Sequence, residues 1–351
     1  MVKAAINGFG RIGRITLRVW LKRMDLQEQL DVVAINTSGS MPVSGWAHLL
    51  KYDTAYGPLE DEVQMQEVNQ PEAVTDKNPL LGYFIVKEKK IPLLAQKDPA
   101  KLPWETYQVD VAIESTGVFT SKELASAHLR AGARKVLISA PSKGEGVGTF
   151  VLGVNQYRGE GDIIDNASCT TNCVAPVVAV LNENFGVRKA SLTTIHAYTD
   201  DQRLQDNSHK DLRRARAASQ NIIPTTTGAA IATTKTIPDI RGMFDGIAIR
   251  VPVNVGSISD VVCLVNRKVT VDEVKRAFQE AAKTRFKNII AVTDEPLVSS
   301  DIIGRSESAI VDLPFTQVID GDLVKILAWY DNEWGYSNRL LEQAVKVGET
   351  Q

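Results

Sequence analysis

Apolar and polar positions recur along this chain in two rhythms, and the change from one to the other near the middle is the first sign of how it is organised. Val2 to Ile6 is a short apolar run that predicts a buried strand. Arg11 to Met24 carries helical spacing, and Leu30 to Asn36, reading LDVVAIN, predicts a second strand. Strand, helix and strand in that order make a βαβ unit. A helical stretch follows from Trp46 to Lys51, and the polar, proline-interrupted segment from Glu60 to Pro99 predicts short antiparallel strands and loops. Val109 to Ser115, Ser121 to Ala131 and Lys135 to Pro141 resume the strand, helix, strand alternation of a parallel sheet, so the first domain is expected to close near Ser168. Beyond it come longer β-branched runs, Lys189 to Tyr198, Gly246 to Val253 and Ser257 to Val265, which suit one mixed or antiparallel sheet. Glu333 to Val347 returns to helical periodicity.

Composition narrows this picture. A chain of 351 residues exceeds one ordinary hydrophobic core, so two domains are expected. Lys and Arg (40) nearly balance Asp and Glu (42), and a net charge of -2 offers no footprint for nucleic acid or an anionic membrane; small charged ligands remain open through local clusters. No apolar run approaches the ~20 residues a spanning helix needs, and the first residues lack a signal-peptide core, which points to the cytoplasm. Three cysteines cannot form a disulfide framework and suit a reducing compartment where a thiol can be a reagent. None are spaced CxxC, which argues against structural zinc, and no metal is expected.

The turn after the first strand reads Asn7-Gly8-Phe9-Gly10-Arg11-Ile12-Gly13-Arg14, a GxGxxG that follows a strand and opens a helix, as the dinucleotide fingerprint requires. Gly8 permits the tight turn, Gly10 lets backbone approach a pyrophosphate, and Gly13 allows helix and strand to pack closely, with phosphates at the helix N-terminus. A glycine-rich turn without a ligand is the plainer reading, and the flanking strand and helix speak against it. About 20 residues further on, an acidic residue would hold the adenosine ribose hydroxyls. The second strand ends instead in Ile35-Asn36-Thr37-Ser38-Gly39. Small hydroxyls there permit NADP, whose 2′-phosphate a carboxylate would repel. In the other reading Thr37 and Ser38 only form the turn and NAD is held by other contacts.

Ser168-Cys169-Thr170-Thr171-Asn172-Cys173 sits between a strand ending near Asn166 and an apolar helix, which places Cys169 at a helix N-terminus. Dipole and unpaired N–H groups there favour thiolate, the form a nucleophilic cysteine needs. Cys173, one turn deeper, reads as a small core residue. His196 ends the strand Ser191 to His196, well placed as a base. On its own it is no different from His48, His128 and His209, for which a satisfied structural role is the default.

With INGFGRIGR, SCTTNC, IHAYTDDQ, HKDLRRARAA, IIPTTTGAA and WYDNEWGYSNR in this order, the chain resembles the phosphorylating glyceraldehyde-3-phosphate dehydrogenases along nearly its whole length. The resemblance implies a Rossmann-type dinucleotide-binding domain of residues 1–168 plus 333–351 and an α+β catalytic domain of residues 169–332, with an S-shaped loop at 200–221 that reaches a neighbouring subunit's cofactor in a homotetramer. It implies that Cys169 attacks the aldehyde carbon of glyceraldehyde 3-phosphate, that His196 pairs with the thiolate and acts as base, that hydride passes to NAD or NADP, and that inorganic phosphate releases an acyl phosphate from the thioester. By the same resemblance the substrate phosphate meets Thr199 and Arg250. The attacking phosphate meets Ser168, Thr227, Gly228 and Arg214, with Thr170 beside them. Arginine suits this because its fork donates in parallel to phosphate oxygens. Arg213 and Arg216 are assigned to structural or subunit ion pairs; from the residues alone the Arg213 to Arg216 run reads as a solvated helix face. Asn332 corresponds to the residue that bonds the nicotinamide amide and Tyr336 to one near its ring, while Thr116, Gly117, Phe119 and Ser139 line the cofactor cleft.

The departures bear on the cofactor. Thr37 stands where the family has its ribose-binding aspartate, and Ser208 where NAD-specific members carry an S-loop proline, changes that resemble members accepting NADP. Gln96-Lys97 replaces an acidic-basic pair near the adenine pocket, and the segment from Glu60 to Gln96 exceeds the usual family length. Two rivals remain: an erythrose-4-phosphate dehydrogenase, against which the presence of both arginines leans, and a nucleotide-binding scaffold without turnover, which predicts losses at Cys169 or His196 that this chain does not show.

Overall fold

The structure is a computed structural model that describes residues 1–350, and the chain divides into two compact units. The first comprises Met1–Phe150, Tyr157–Asn166 and the chain from Ser337 onward; the second comprises Val151–Gln156 and Ala167–Tyr336.

In the first unit the elements run β1 (Val2–Asn7), α1 (Arg11–Lys22), β2 (Leu30–Thr37), α2 (Val43–Lys51), β3 (Val63–Glu67), β4 (Leu80–Val86), β5 (Lys89–Ala95), β6 (Val111–Glu114), α3 (Lys122–Arg130), β7 (Lys135–Ile138), β8 (Gly148–Thr149) and β9 (Ile163–Asp165). They build a nine-stranded sheet in the order β8-β9-β7-β6-β1-β2-β5-β4-β3. From β8 through β5 every pairing is parallel, and the central strands are buried, Ala4, Ala5, Ile6, Val111, Ala112 and Ile113 all at 0% exposure. That is why they read as continuous apolar runs. The strand order reverses between β1 and β6, the switch point at which doubly wound sheets bind ligands.

One expectation shifts here. Helix α1 stops at Lys22, short of Met24, because Arg23 is extended and its guanidinium reaches Asp25, Asn338 and Glu342; a separate short helix runs Met24–Gln27. The segment after Glu60 holds antiparallel strands, as expected. β3 and β4 extend the same sheet through β5, which pairs antiparallel with β4 and parallel with β2.

In the second unit α4 (Cys169–Phe185) is followed by β10 (Val187–Ala197), β11 (Ile223–Thr226), α5 (Ala229–Thr236), β12 (Phe244–Val251), β13 (Ser257–Val265), α6 (Val271–Lys283), β14 (Ile290–Thr293), β15 (Ala309–Asp312), β16 (Gln317–Ile319) and β17 (Leu323–Tyr330). The eight-stranded sheet is mixed, ordered β11-β12-β10-β13-β17-β15-β14 with β16 on β17. Strand β13 alternates buried and half-exposed residues along its length. Its inward set, Val261, Cys263 and Val265, meets Val174, Val177, Val178 and Leu181 of α4 in one core cluster. A sheet covered on one face gives this period of two. The last helix, α7, spans Trp334–Glu349. Among the described residues no helix is long and apolar enough to cross a membrane.

Candidate active site

The nucleophile's position starts from local chemistry. Ser168 caps α4, its Oγ accepting the Thr171 N–H at 3.0 Å, so Cys169 is the first helical residue, where free N–H groups converge. One residue before the cap, Ala167 sits at φ 53°, a left-handed conformation unusual for alanine, and the Tyr336 hydroxyl donates to its carbonyl at 3.0 Å. That tie accounts for the buried Tyr336. Cys169 Sγ lies 3.4 Å from Nε2 of His196, on the neighbouring strand β10. On the other side of the ring, Nδ1 stands 2.6 Å from the Ala197 carbonyl and 2.7 Å from an Arg250 nitrogen. A proton on Nδ1, held by the Ala197 carbonyl, leaves the Nε2 lone pair facing sulfur, the arrangement a base needs, whereas the Arg250 guanidinium, which only donates, favours the tautomer with the proton on Nε2. Arg250 also donates to the Ala197 carbonyl at 3.1 Å.

Burial and then the Arg250 charge push His196 down to about 3, while burial pushes the Cys169 thiol up, against the opposing pull of Arg250 and the Thr170 N–H. These surroundings favour neutral imidazole and thiol, and an anion on Arg250 would offset the nearest charge that opposes the imidazolium. Cys173 and Cys263 are buried, and burial pushes their thiols up too, Cys263 to about 12.

The proposed anion residues gather in the same unit. Arg214 donates to Asp201 at 2.7 Å and to the Thr225 hydroxyl at 2.8 and 2.9 Å, with Asp211 at 3.3 Å. The Thr199 hydroxyl donates to Asp201 as well. Burial would raise the Asp201 carboxyl, yet Thr199, Arg214 and Arg250 outweigh it and hold it low. Asp201 is thus the counter-charge that arginines 214 and 250 share, and nothing in its local sequence announces it. Thr227 Oγ1 accepts the Ala229 N–H at 3.2 Å, and Gly228 caps α5 with open space around it.

Two assignments need correction. Thr170 does not offer its side chain to substrate: it is 4% exposed and its hydroxyl shares a 2.9 Å bond with Tyr330. Tyr330, bonded also to Thr194 at 2.8 Å, is set edge-on to His196 and has no sequence signal of its own. Nor is the Arg213 to Arg216 run a helix face. It lies in turns, with Arg216 paired to Asp206 at 2.8 Å.

In the first unit a recess of ≈ 410 Å³, within the ~300–1,000 Å³ of pockets that take organic ligands, opens at the strand-order reversal. Asn7, Gly8, Phe9, Gly10, Asn36, Thr37, Ser38, Thr116 and Phe119 line it, joined by Trp46, Gln96, Lys97, Ser115 and Val118. Gly8 has φ +96°. A Cβ on Gly13 would stand 2.0 Å from the Gly8 carbonyl oxygen, whereas one on Gly10 would meet nothing within 4 Å. Arg11, Ile12, Gly13, Gly117 and Ser139 lie outside the lining; the Arg11 guanidinium is turned onto Asp53 at 2.5 Å.

Thr37 is also corrected. It is 2% exposed and its hydroxyl donates to the Leu94 carbonyl at 3.0 Å, so its proton is committed and Ser38 presents the exposed hydroxyl. Lys97 is exposed, and among the described residues it makes no ion pair. In the second unit, Asn332 Oδ1 accepts the Gly256 N–H and the Ser257 hydroxyl, which leaves its amide nitrogen as the donor end, and Ser208 is exposed in the loop.

Comparison with known proteins matches both parts of the chain to one family. Residues 2–122 match the family described as glyceraldehyde 3-phosphate dehydrogenase, NAD binding domain, and residues 168–332 match its C-terminal domain. Glyceraldehyde-3-phosphate dehydrogenase 2 of Streptomyces avermitilis is 49% identical over 350 residues, covering 99% of this chain and 98% of its own. Its counterpart in Synechocystis is 47% identical over 352 residues, with 99% of both chains covered. The chloroplastic glyceraldehyde-3-phosphate dehydrogenase A of Chlamydomonas reinhardtii is 48% identical over 345 residues, 98% of this chain and 88% of its own. The chain belongs to the glyceraldehyde-3-phosphate dehydrogenase family.

Proposed function

We propose that Cys169 and His196 carry the reaction of this family, the reversible oxidative phosphorylation of D-glyceraldehyde 3-phosphate to 1,3-bisphosphoglycerate with hydride transfer to NAD or NADP. The 3.4 Å approach of Sγ to Nε2 at a capped helix N-terminus carries the proposal. His196 takes the thiol proton as sulfur adds to the aldehyde carbon and returns it to the new oxyanion, giving a hemithioacetal; the neutral imidazole then takes the hydroxyl proton as the carbon gives up its hydride, which a bound nicotinamide would accept. The resulting thioester is cleaved by inorganic phosphate. Two anions need two cationic places, and we assign Arg250 with Thr199 to the substrate phosphate and Arg214 with Ser168, Thr227 and Gly228 to the attacking one. Asp201 neutralises both arginines until anions arrive.

The dinucleotide is assigned to the recess, with pyrophosphate at the start of α1, Asn332 on the nicotinamide amide and Tyr336 supporting the Ala167 turn. Use of NADP is supported by the missing carboxylate at position 37 and by Ser38 and Lys97, a hydroxyl and an ammonium able to meet a 2′-phosphate; Ser208 of a second copy is assigned beside them. A cytoplasmic homotetramer is the assembly we assign. In the S-loop and beside it Leu204, Leu212 and Ile222 are 79%, 82% and 71% exposed, an apolar set of the kind subunit contacts cover. Initial rates with glyceraldehyde 3-phosphate, with and without inorganic phosphate and with NAD and NADP in parallel, test the proposal. Turnover that needs phosphate supports it, and equal turnover without phosphate, forming free acid as an erythrose-4-phosphate type of reaction does, overturns it.

A further inference from the structure

A continuous chain of buried polar side chains lies beneath the recess. Glu114, at the end of β6, is 1% exposed and His128, on α3, is 0% exposed. The Trp104 indole Nε1 can only donate, and it donates to His128 Nδ1 at 2.9 Å, so that nitrogen carries no proton and Nε2 does. Nε2–H donates to Glu114 Oε2 at 2.9 Å. A carboxylate only accepts, so Asn7 turns its amide nitrogen to the same oxygen, at 2.5 Å, and its own carbonyl outward to the Asn36 amide nitrogen at 2.7 Å. Asn36 Oδ1 in turn accepts the Gln96 N–H at 2.9 Å, while its amide nitrogen also donates to the Gln96 carbonyl at 2.8 Å. The other oxygen of Glu114 accepts the Thr116 N–H at 2.8 Å and the Thr116 hydroxyl.

Every orientation in this chain follows from its ends, a donor-only indole and an acceptor-only carboxylate. No member can flip without setting donor against donor or leaving a buried polar group unpaired. It crosses the C-terminal ends of β6, β1, β2 and β5, the strands that frame the switch point. Asn7, Asn36, Gln96 and Thr116 line the recess, as does Phe119, whose ring meets His128 edge-on at 6.4 Å; His128, Glu114 and Trp104 are not part of the lining.

We propose that His128 is a positioning residue for the cofactor: through Glu114 it fixes the amides of Asn7 and Asn36 and the turn at Thr116 in the geometry that a bound dinucleotide requires. This rests on reading the recess as the dinucleotide site. A histidine that merely fills space would be replaced by an apolar side chain without effect on binding, whereas one that acts through its Nε2–H is replaced only by another donor at that place.

The full-length protein is titrated calorimetrically with NAD and with NADP, and Cys169 alkylation by iodoacetamide is followed in the dinucleotide-free protein. His128→Leu raises both dissociation constants about tenfold, the usual effect of leaving a buried charged acceptor short of one donor, with the alkylation rate unchanged. His128→Gln, whose amide nitrogen reaches the Nε2 place, restores most of the affinity. Trp104→Phe, which removes the donor that fixes the tautomer along with part of a buried ring, gives a smaller, several-fold rise and serves if the leucine variant does not fold. Wild-type affinity in His128→Leu or Trp104→Phe, or equal losses in His128→Leu and His128→Gln, overturns the proposal. Failure of the wild-type protein to bind either dinucleotide would instead remove the reading of the recess.

Discussion

The two units solve their binding problems differently. The first offers a recess made largely of strand ends and backbone: glycines at its mouth, a helix N-terminus, and amides whose side chains are spent on one another. The second offers side chains with function at their tips, Cys169, His196, Arg214 and Arg250, drawn from a helix, two strands and a loop. A backbone-made site depends on close packing and on fixed orientations, so it is sensitive to an added methyl group. A site made of side chains tolerates backbone adjustment and fails when one functional group is lost.

The sharpest way to break that contrast is Cys169→Ser. It should leave both units folded and abolish cofactor reduction at saturating substrate, and iodoacetamide should label Cys169 alone in the wild-type protein, because Cys169 is partly exposed whereas Cys173 and Cys263 are fully buried. His196→Asn comes next. Loss of a general base costs about 10²–10⁴-fold in rate, read as kcat at saturating substrate and cofactor, and a loss under tenfold would count against the assigned role.

Gly13→Ala acts on the other unit. Its Cβ would be placed 2.0 Å from the Gly8 carbonyl oxygen, and overpacking of this kind costs about 1–3 kcal/mol, so the melting midpoint should fall and the NAD dissociation constant rise while Cys169 alkylation in the cofactor-free protein stays as it was. The smallest effect is expected from Thr37→Asp. A carboxylate near a 2′-phosphate repels it by on the order of 1 kcal/mol or more, so the specificity constant for NADP should drop several-fold relative to that for NAD. A wild-type preference for NAD of a hundredfold would already contradict the reading of this strand end.

What could be read from the sequence divides along the same line. The βαβ start, the fingerprint and the helix-capped cysteine were visible because each is set by neighbours within a few residues: a period of two or of 3.6, a glycine where only glycine fits, a serine before a helix. Arg23 ended α1 early through partners more than three hundred residues away, which no local pattern encodes. That Thr37 is a small hydroxyl is plain in the sequence; that its proton goes to Leu94 is not, since Leu94 comes from a strand that pairs with β2 only in the folded sheet. Lys97 was seen as a departure, and only the recess places it with Ser38. Asp201, Tyr330 and the Glu114–His128 pair act through contacts across strands, and their roles became legible only in three dimensions.

The central claim is that oxidation passes through a thioester on Cys169, and it can be met directly. The protein is mixed with glyceraldehyde 3-phosphate and NAD in phosphate-free buffer, quenched in acid, and digested for mass spectrometry. The account predicts one equivalent of reduced cofactor per functional site, a phosphoglyceryl group on the peptide carrying Cys169, and loss of that group when phosphate is added before the quench. Sustained turnover with no adduct on Cys169, or an adduct that phosphate leaves in place, would contradict it.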